Sequence, residues 1–226
     1  MAIRNVRGVA IHVVQDPELL AAGWLSRTAA GKGNVVLSGG STVGRAYEAA
    51  SALLENWSGA RAWFGDERAV PPDDGRSNYR LAKEQLFERV RVPPDVHRIE
   101  GELGAEAAAD LYDQKLAGAR LDLALNGIGA DGHTASLFPN APALEERERR
   151  ALAAEPGLEP FVERVTLTPP VFAATRLLIY LVTGESKAAA VRRAFAEEPS
   201  AATPASLVRG QETIAILDAA AASELP

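Results

Sequence analysis

The chain has 226 residues, 47% of them hydrophobic and 24% charged, with a formal net charge of −6 and no cysteine. That length supports one domain over residues 1–226 with a substantial core. Disulfides, thiolate nucleophiles and zinc–thiolate sites are excluded, and the acidic balance argues against nucleic-acid partners. No basic segment followed by an apolar core opens the chain, and no apolar run approaches the length of a membrane span. A cytoplasmic monomer without a membrane partner is therefore expected.

Residues 9–14 form a β-branched run that predicts a first strand. Asp16-Pro17 then supplies an N-cap and a proline for a helix running to about Ala30. A second strand at 34–37 opens into Ser38-Gly39-Gly40-Ser41-Thr42, followed by a helical pattern over 43–54. A small-residue loop between strand and helix is a natural anion site, where backbone N–H groups converge with hydroxyls. It is not a Walker A loop, because no Gly-Lys-Ser/Thr follows. A third strand at 61–64 gives way to Gly65-Asp66-Glu67-Arg68 and an irregular loop through Ser77, with a helix over 79–90. A minor strand at 96–99, an Ala-rich helix at 104–116 and a buried strand at 121–125 come next. The stretch 145–154 reads as helix or edge strand. Strands are expected at 163–168, 176–182 and 213–217, with a short helix from Pro169, another through Phe195, and a terminal one at 218–223. Alternating strands and helices predict an α/β fold: a doubly wound, mostly parallel sheet with helices on both faces.

The chemistry is expected in Asn126–Pro139, where glycines let the backbone approach a ligand and where Asp131 and His133 sit. Histidine alone has an ordinary pKa near neutrality, which suits a general base. A carboxylate two residues away can orient the ring or bind a substrate hydroxyl. Gly127-x-Gly129-x-x-Gly132 formally fits the dinucleotide fingerprint, but it comes late in the chain and Asp-Gly-His interrupts the helix start. No Gly-x-Ser-x-Gly elbow occurs. Of the three histidines, His12, His97 and His133, only the last lies in a polar loop, so no metal and no cofactor is expected. Loops after several strands gather at one edge of such a sheet. Together they would present anion donors, cations and one base to a phosphorylated small molecule.

These segments resemble the 6-phosphogluconolactonase family. The resemblance rests on Ser38–Thr42, on Gly65-Asp66-Glu67-Arg68-x-Val70-Pro71 with Ser77-Asn78-Tyr79, and on Gly127 to Pro139. It extends to Arg164-x-Thr166-Leu167-Thr168, Thr183-Gly184-x-x-Lys187 and Pro204-Ala205-Ser206. Val43 departs from the family's usual proline. The resemblance implies a Rossmann-like fold and hydrolysis of 6-phospho-D-glucono-1,5-lactone, with His133 and Asp131 as the catalytic pair. It further implies substrate binding by Gly39, Gly40, Ser41, Thr42, Asp66, Arg68, Arg164 and Lys187, with Arg68 serving either the phosphate or the developing oxyanion. Glucosamine-6-phosphate deaminase/isomerase shares the Asp-Gly-His turn, but Thr134–Pro139 and Arg68 favour the lactonase. A non-catalytic sugar-phosphate sensor is the third reading, and the chain has no spare basic segment for it.

Overall fold

The computed structural model describes residues 2–157 and 161–226. The chain opens with a hairpin, β1 (Ala2–Val6) antiparallel to β2 (Val9–Val13). Its two-residue turn, Arg7-Gly8, has positive φ at both positions (49° and 82°), the geometry that matches strand twist in tight hairpins. The sequence reading has no β1, because an Arg-Gly turn is not a usual hairpin signal. The expected helix follows as α1 (Pro17–Ala30), where the Asp16 side chain accepts the Leu19 N–H.

Next come β3 (Asn34–Leu37), α2 (Ser41–Leu53), β4 (Arg61–Phe64) and β5 (Asp66–Arg68). α3 (Asn78–Ala82) continues into a wide π turn ending at Phe87, short of the expected 90. β6 (Asp95–Val96), α4 (Ala105–Lys115) and β7 (Leu123–Asn126) lead to the central loop. β8 (Ala151–Ala154) resolves the ambiguous stretch as strand. β9 (Arg164–Leu167), α5 (Pro169–Ala174), β10 (Leu177–Val182), α6 (Ala188–Phe195), α7 (Pro204–Leu207) and β11 (Glu212–Leu217) complete the fold.

The main sheet has the order β1-β2-β11-β10-β7-β3-β4-β6 and is parallel everywhere except at the β1 edge. All six residues of β10 and all four of β7 are buried, as parallel strands covered on both faces must be. From β3 the chain steps outward to β4 and β6; from β7 it steps the other way, to β10 and β11. The direction reverses between β3 and β7, and at such a switch point the loops after the strands part and leave a crevice.

Two expectations need correction. Residues 66–68 and 164–167 do not belong to a loop and to the main sheet; with β8 they form a separate antiparallel sheet, β5-β9-β8. The terminal helix is absent, and the chain after Leu217 runs in turns. There the Asp218 carboxylate accepts N–H groups from both Gly184 and Ala221, which ties the tail to the loop after β10.

Candidate active site

A cleft of about 250 Å³ opens at the switch point. Its walls are the loops after β3, β7 and β10, and the start of the small sheet. Gly39, Gly40, Ser41, Thr42, Asp66, Arg68, His133, Arg164 and Lys187 all line it. Asp131 does not; it reaches the cleft only through His133.

The first wall is built by α2. Gly40 sits at its N-cap with φ +113°, and among the described residues no side chain caps the helix. The first-turn N–H groups are therefore left for a ligand at the positive end of the helix dipole. From within the same helix the Tyr47 hydroxyl clamps Ser38, accepting its N–H (2.7 Å) and donating to its carbonyl (2.8 Å). Gly39 has no room for a side chain, since a Cβ there would lie 1.9 Å from Asn78 Oδ1. Thr42 and Thr183 bridge the first and third loops by a 3.0 Å hydroxyl contact. Lys187 stands at the end of the third loop, directly before α6, and makes no ion pair among the described residues.

The second wall carries His133. His133 Nδ1 lies 2.6 Å from Asp131 Oδ1, and the same oxygen accepts the His133 backbone N–H at 3.1 Å. Burial pushes the Asp131 carboxyl up, but the hydrogen bond and charge of His133 outweigh it and hold the group below the usual carboxylate range. An ionised carboxylate only accepts, so it binds the imidazole through a protonated Nδ1, and in the neutral ring that tautomer leaves the lone pair on Nε2. Nε2 makes no hydrogen bond among the described residues. The pair rests on Gly129, where a Cβ would lie 2.1 Å from Nδ1 and 2.4 Å from Asp131 Oδ1. Phe138 packs on the imidazole with ring centroids 5.0 Å apart. A hydrogen-bond chain joins this loop to the first: Ser38 Oγ donates to Asn126 Oδ1, Asn126 Nδ2 to Thr134, and Thr134 to the Gly127 carbonyl. Behind the loop, α7 supports Gly132, whose carbonyl accepts the Ala205 N–H at 3.0 Å.

The third wall comes from the small sheet, whose antiparallel register sets Arg68 directly opposite Arg164. Like charges at facing positions repel. Burial, and then Arg68, hold the Arg164 guanidinium below its ordinary range, so its charged form would gain from a nearby anion. Arg164 also lies 6.0 Å from the Phe138 ring, on which His133 packs. Arg68 donates to the Arg76 carbonyl (2.7 Å) and to Asn78, while its Nε is buried without a partner among the described residues.

Asp66 is less available than the sequence suggests. One carboxylate oxygen accepts from Ser136 (2.7 Å) and the other from Asn78 (3.0 Å), so it braces the cleft. Glu67 is wholly inside the protein. Burial pushes its carboxyl up, against hydrogen bonds from the backbone N–H groups of Arg68, Asn78 and Tyr79 and from the Ser77 hydroxyl. Those four donors lock β5 to the start of α3 and so fix where Arg68 points. Asn78 is the participant that sequence reasoning missed; the Ser77-Asn78-Tyr79 match is the signal that could have found it. Among the described residues, no three His, Asp or Glu side chains converge as a metal site would require.

Known proteins resemble this chain in sequence and in fold. The family model for glucosamine-6-phosphate isomerases/6-phosphogluconolactonase matches residues 18–216. The 6-phosphogluconolactonase of Homo sapiens is 40% identical over 210 residues, covering 87% of this chain and 80% of that protein. The Mycobacterium leprae enzyme of the same name is 36% identical over 209 residues, with 85% of each chain covered. The structure of 6-phosphogluconolactonase from Trypanosoma cruzi superposes with a TM-score of 0.79 at 28% identity, covering 100% of this chain and 99% of the other. By that match over most of its length and those identities, the chain belongs to the glucosamine-6-phosphate isomerase/6-phosphogluconolactonase family.

Proposed function

We propose that this protein hydrolyses 6-phospho-D-glucono-1,5-lactone to 6-phospho-D-gluconate, the second step of the oxidative pentose phosphate pathway. The observation that carries the reading is the oriented His133–Asp131 pair in a cleft that also holds the uncapped start of α2, Lys187 and two facing arginines. His133 Nε2 takes a proton from water as the oxygen attacks the lactone carbonyl carbon. Negative charge builds on the carbonyl oxygen of the tetrahedral intermediate. Collapse breaks the bond from that carbon to the ring oxygen, and Nε2 returns its proton to the departing alkoxide. Asp131 keeps Nδ1 protonated and stabilises the imidazolium. The N–H groups and hydroxyls of Gly39–Thr42, with Lys187 and Arg164, hold the phosphate. Arg68 joins them, or serves the oxyanion; an Arg68→Ala effect confined to KM assigns the first role, and one confined to kcat the second.

Isomerising an aminosugar phosphate calls for a second free base to move a proton between neighbouring carbons. Asp66 is the one carboxylate lining the cleft among the described residues, and Ser136 and Asn78 engage both of its oxygens, which favours the hydrolase. The test is a coupled assay on freshly made lactone, with spontaneous opening subtracted. Turnover of the lactone without ammonia release from glucosamine 6-phosphate supports the proposal. Ammonia release, or binding of 6-phosphogluconate without turnover, overturns it.

A further inference from the structure

A second pocket lies at the opposite edge of the main sheet, where the strands begin, and the reaction makes no use of it. Its volume is about 650 Å³, within the usual range of about 300–1,000 Å³ for small-molecule sites. Asp122, Arg176 and Gln211 line it from the positions just before β7, β10 and β11. A six-residue strand separates the two edges by about 20 Å, so the pocket is distinct from the catalytic cleft.

Arg120, Arg149, Arg150 and Arg176 line it together with Asp122 and Glu148, and Asp110 and Asp113 are bonded to two of these arginine residues. Arg149 is paired with Asp110 at 2.6 Å. Asp122 is engaged by the Asn34 N–H at 2.8 Å, and its distance to Arg176 is a loose 3.8 Å. Arg120 and Arg150 have no ion pair among the described residues. The backbone that bears these side chains is fixed. Arg176 N–H donates to Leu121 (3.0 Å), Gln211 N–H to Thr175 (2.9 Å), and Arg150 N–H to the Asp113 carboxylate. Beneath the arginines lie the buried Leu116 and Leu121, beside Val171. Guanidinium groups recognise phosphate in bidentate fashion and stack on aromatic faces, while an apolar floor accepts a flat ring.

We propose that this pocket binds a nucleotide, with Arg120, Arg150 and Arg176 on its phosphates and the base on the Leu116–Leu121 floor. ADP is the probe, titrated against the full-length protein by calorimetry, with pyrophosphate in parallel. The expected result is saturable ADP binding, tighter than pyrophosphate, that weakens at least tenfold in Arg120→Ala/Arg150→Ala and is unchanged in Lys187→Ala. Both arginines are exposed, so the double variant is expected to melt like wild type and to keep its lactone turnover. The proposal is overturned by no saturable binding, by equal affinity for pyrophosphate, or by loss of ADP binding in Lys187→Ala, which would put the nucleotide in the catalytic cleft.

Discussion

Gly129→Ala isolates the geometry of the base from its chemistry. Gly129 is not at positive φ, so alanine meets no backbone strain there. The added Cβ would instead lie 2.1 Å from His133 Nδ1 and 2.2 Å from Cε1, where ordinary contact begins at 3.4 Å. The ring must retreat by about 1.3 Å, the difference between those distances. Such a retreat breaks the 2.6 Å bond to Asp131 and swings Nε2 away from the attacking water. A displacement of about 1 Å at the reacting groups costs on the order of 100-fold, which corresponds to about 2.7 kcal/mol of transition-state stabilisation. The proposed phosphate contacts belong to other loops, so the loss should fall on kcat and leave KM within a few-fold. Coupled kinetics at several lactone concentrations, with the spontaneous rate subtracted, read this directly; a thermal melt checks the fold. A kcat within threefold of wild type would refute the claim that the pair must be held in place to work.

The remaining predictions concern the supports of the site. The native Asp131 pKa is depressed, so this group stabilises the fold above its unfolded value of about 3.9 and the contribution fades as pH falls through the native value. Urea midpoints of wild type and Asp131→Asn should therefore differ at pH 7 and converge below about pH 4; a constant gap would contradict the assignment. Lys187→Ala removes a cation with no ion pair among the described residues, so stability should change by less than about 0.5 kcal/mol. KM for the lactone should rise about tenfold or more with the loss of a charge-assisted phosphate contact, as steady-state kinetics would show. Glu67→Gln sets an amide N–H₂ against donors that now meet a carboxylate, which should cost about 2–4 kcal/mol in urea unfolding.

Much of the parallel framework can be read locally. Asp16-Pro17 starts α1 where the cap and proline put it, and the uninterrupted apolar run 177–182 is the doubly covered β10. The small sheet cannot be read this way. β5 and β9 are separated by nearly 100 residues of chain, and their pairing shows only when Arg68 is found opposite Arg164. The roles of Asp66 and Glu67 are hidden for the same reason: two adjacent acids look alike in sequence. The fold turns one toward Ser136 and Asn78, and the other into the backbone at the start of α3. The tail misleads because its alanines favour helix, whereas Asp218 is spent on the N–H groups of Gly184 and Ala221. For Asp131, sequence offers two uses, and its 2.6 Å contact with His133 Nδ1 supports the proposal that it orients the ring.

The most direct test of the account is the rate of lactone opening by His133→Ala beside wild type, each corrected for the uncatalysed reaction. The imidazole is a quarter exposed and holds no core position, so the variant should fold and still bind 6-phosphogluconate while its kcat falls by about 100-fold or more. A folded His133→Ala protein that opens the lactone at the wild-type rate would remove the imidazole from the mechanism.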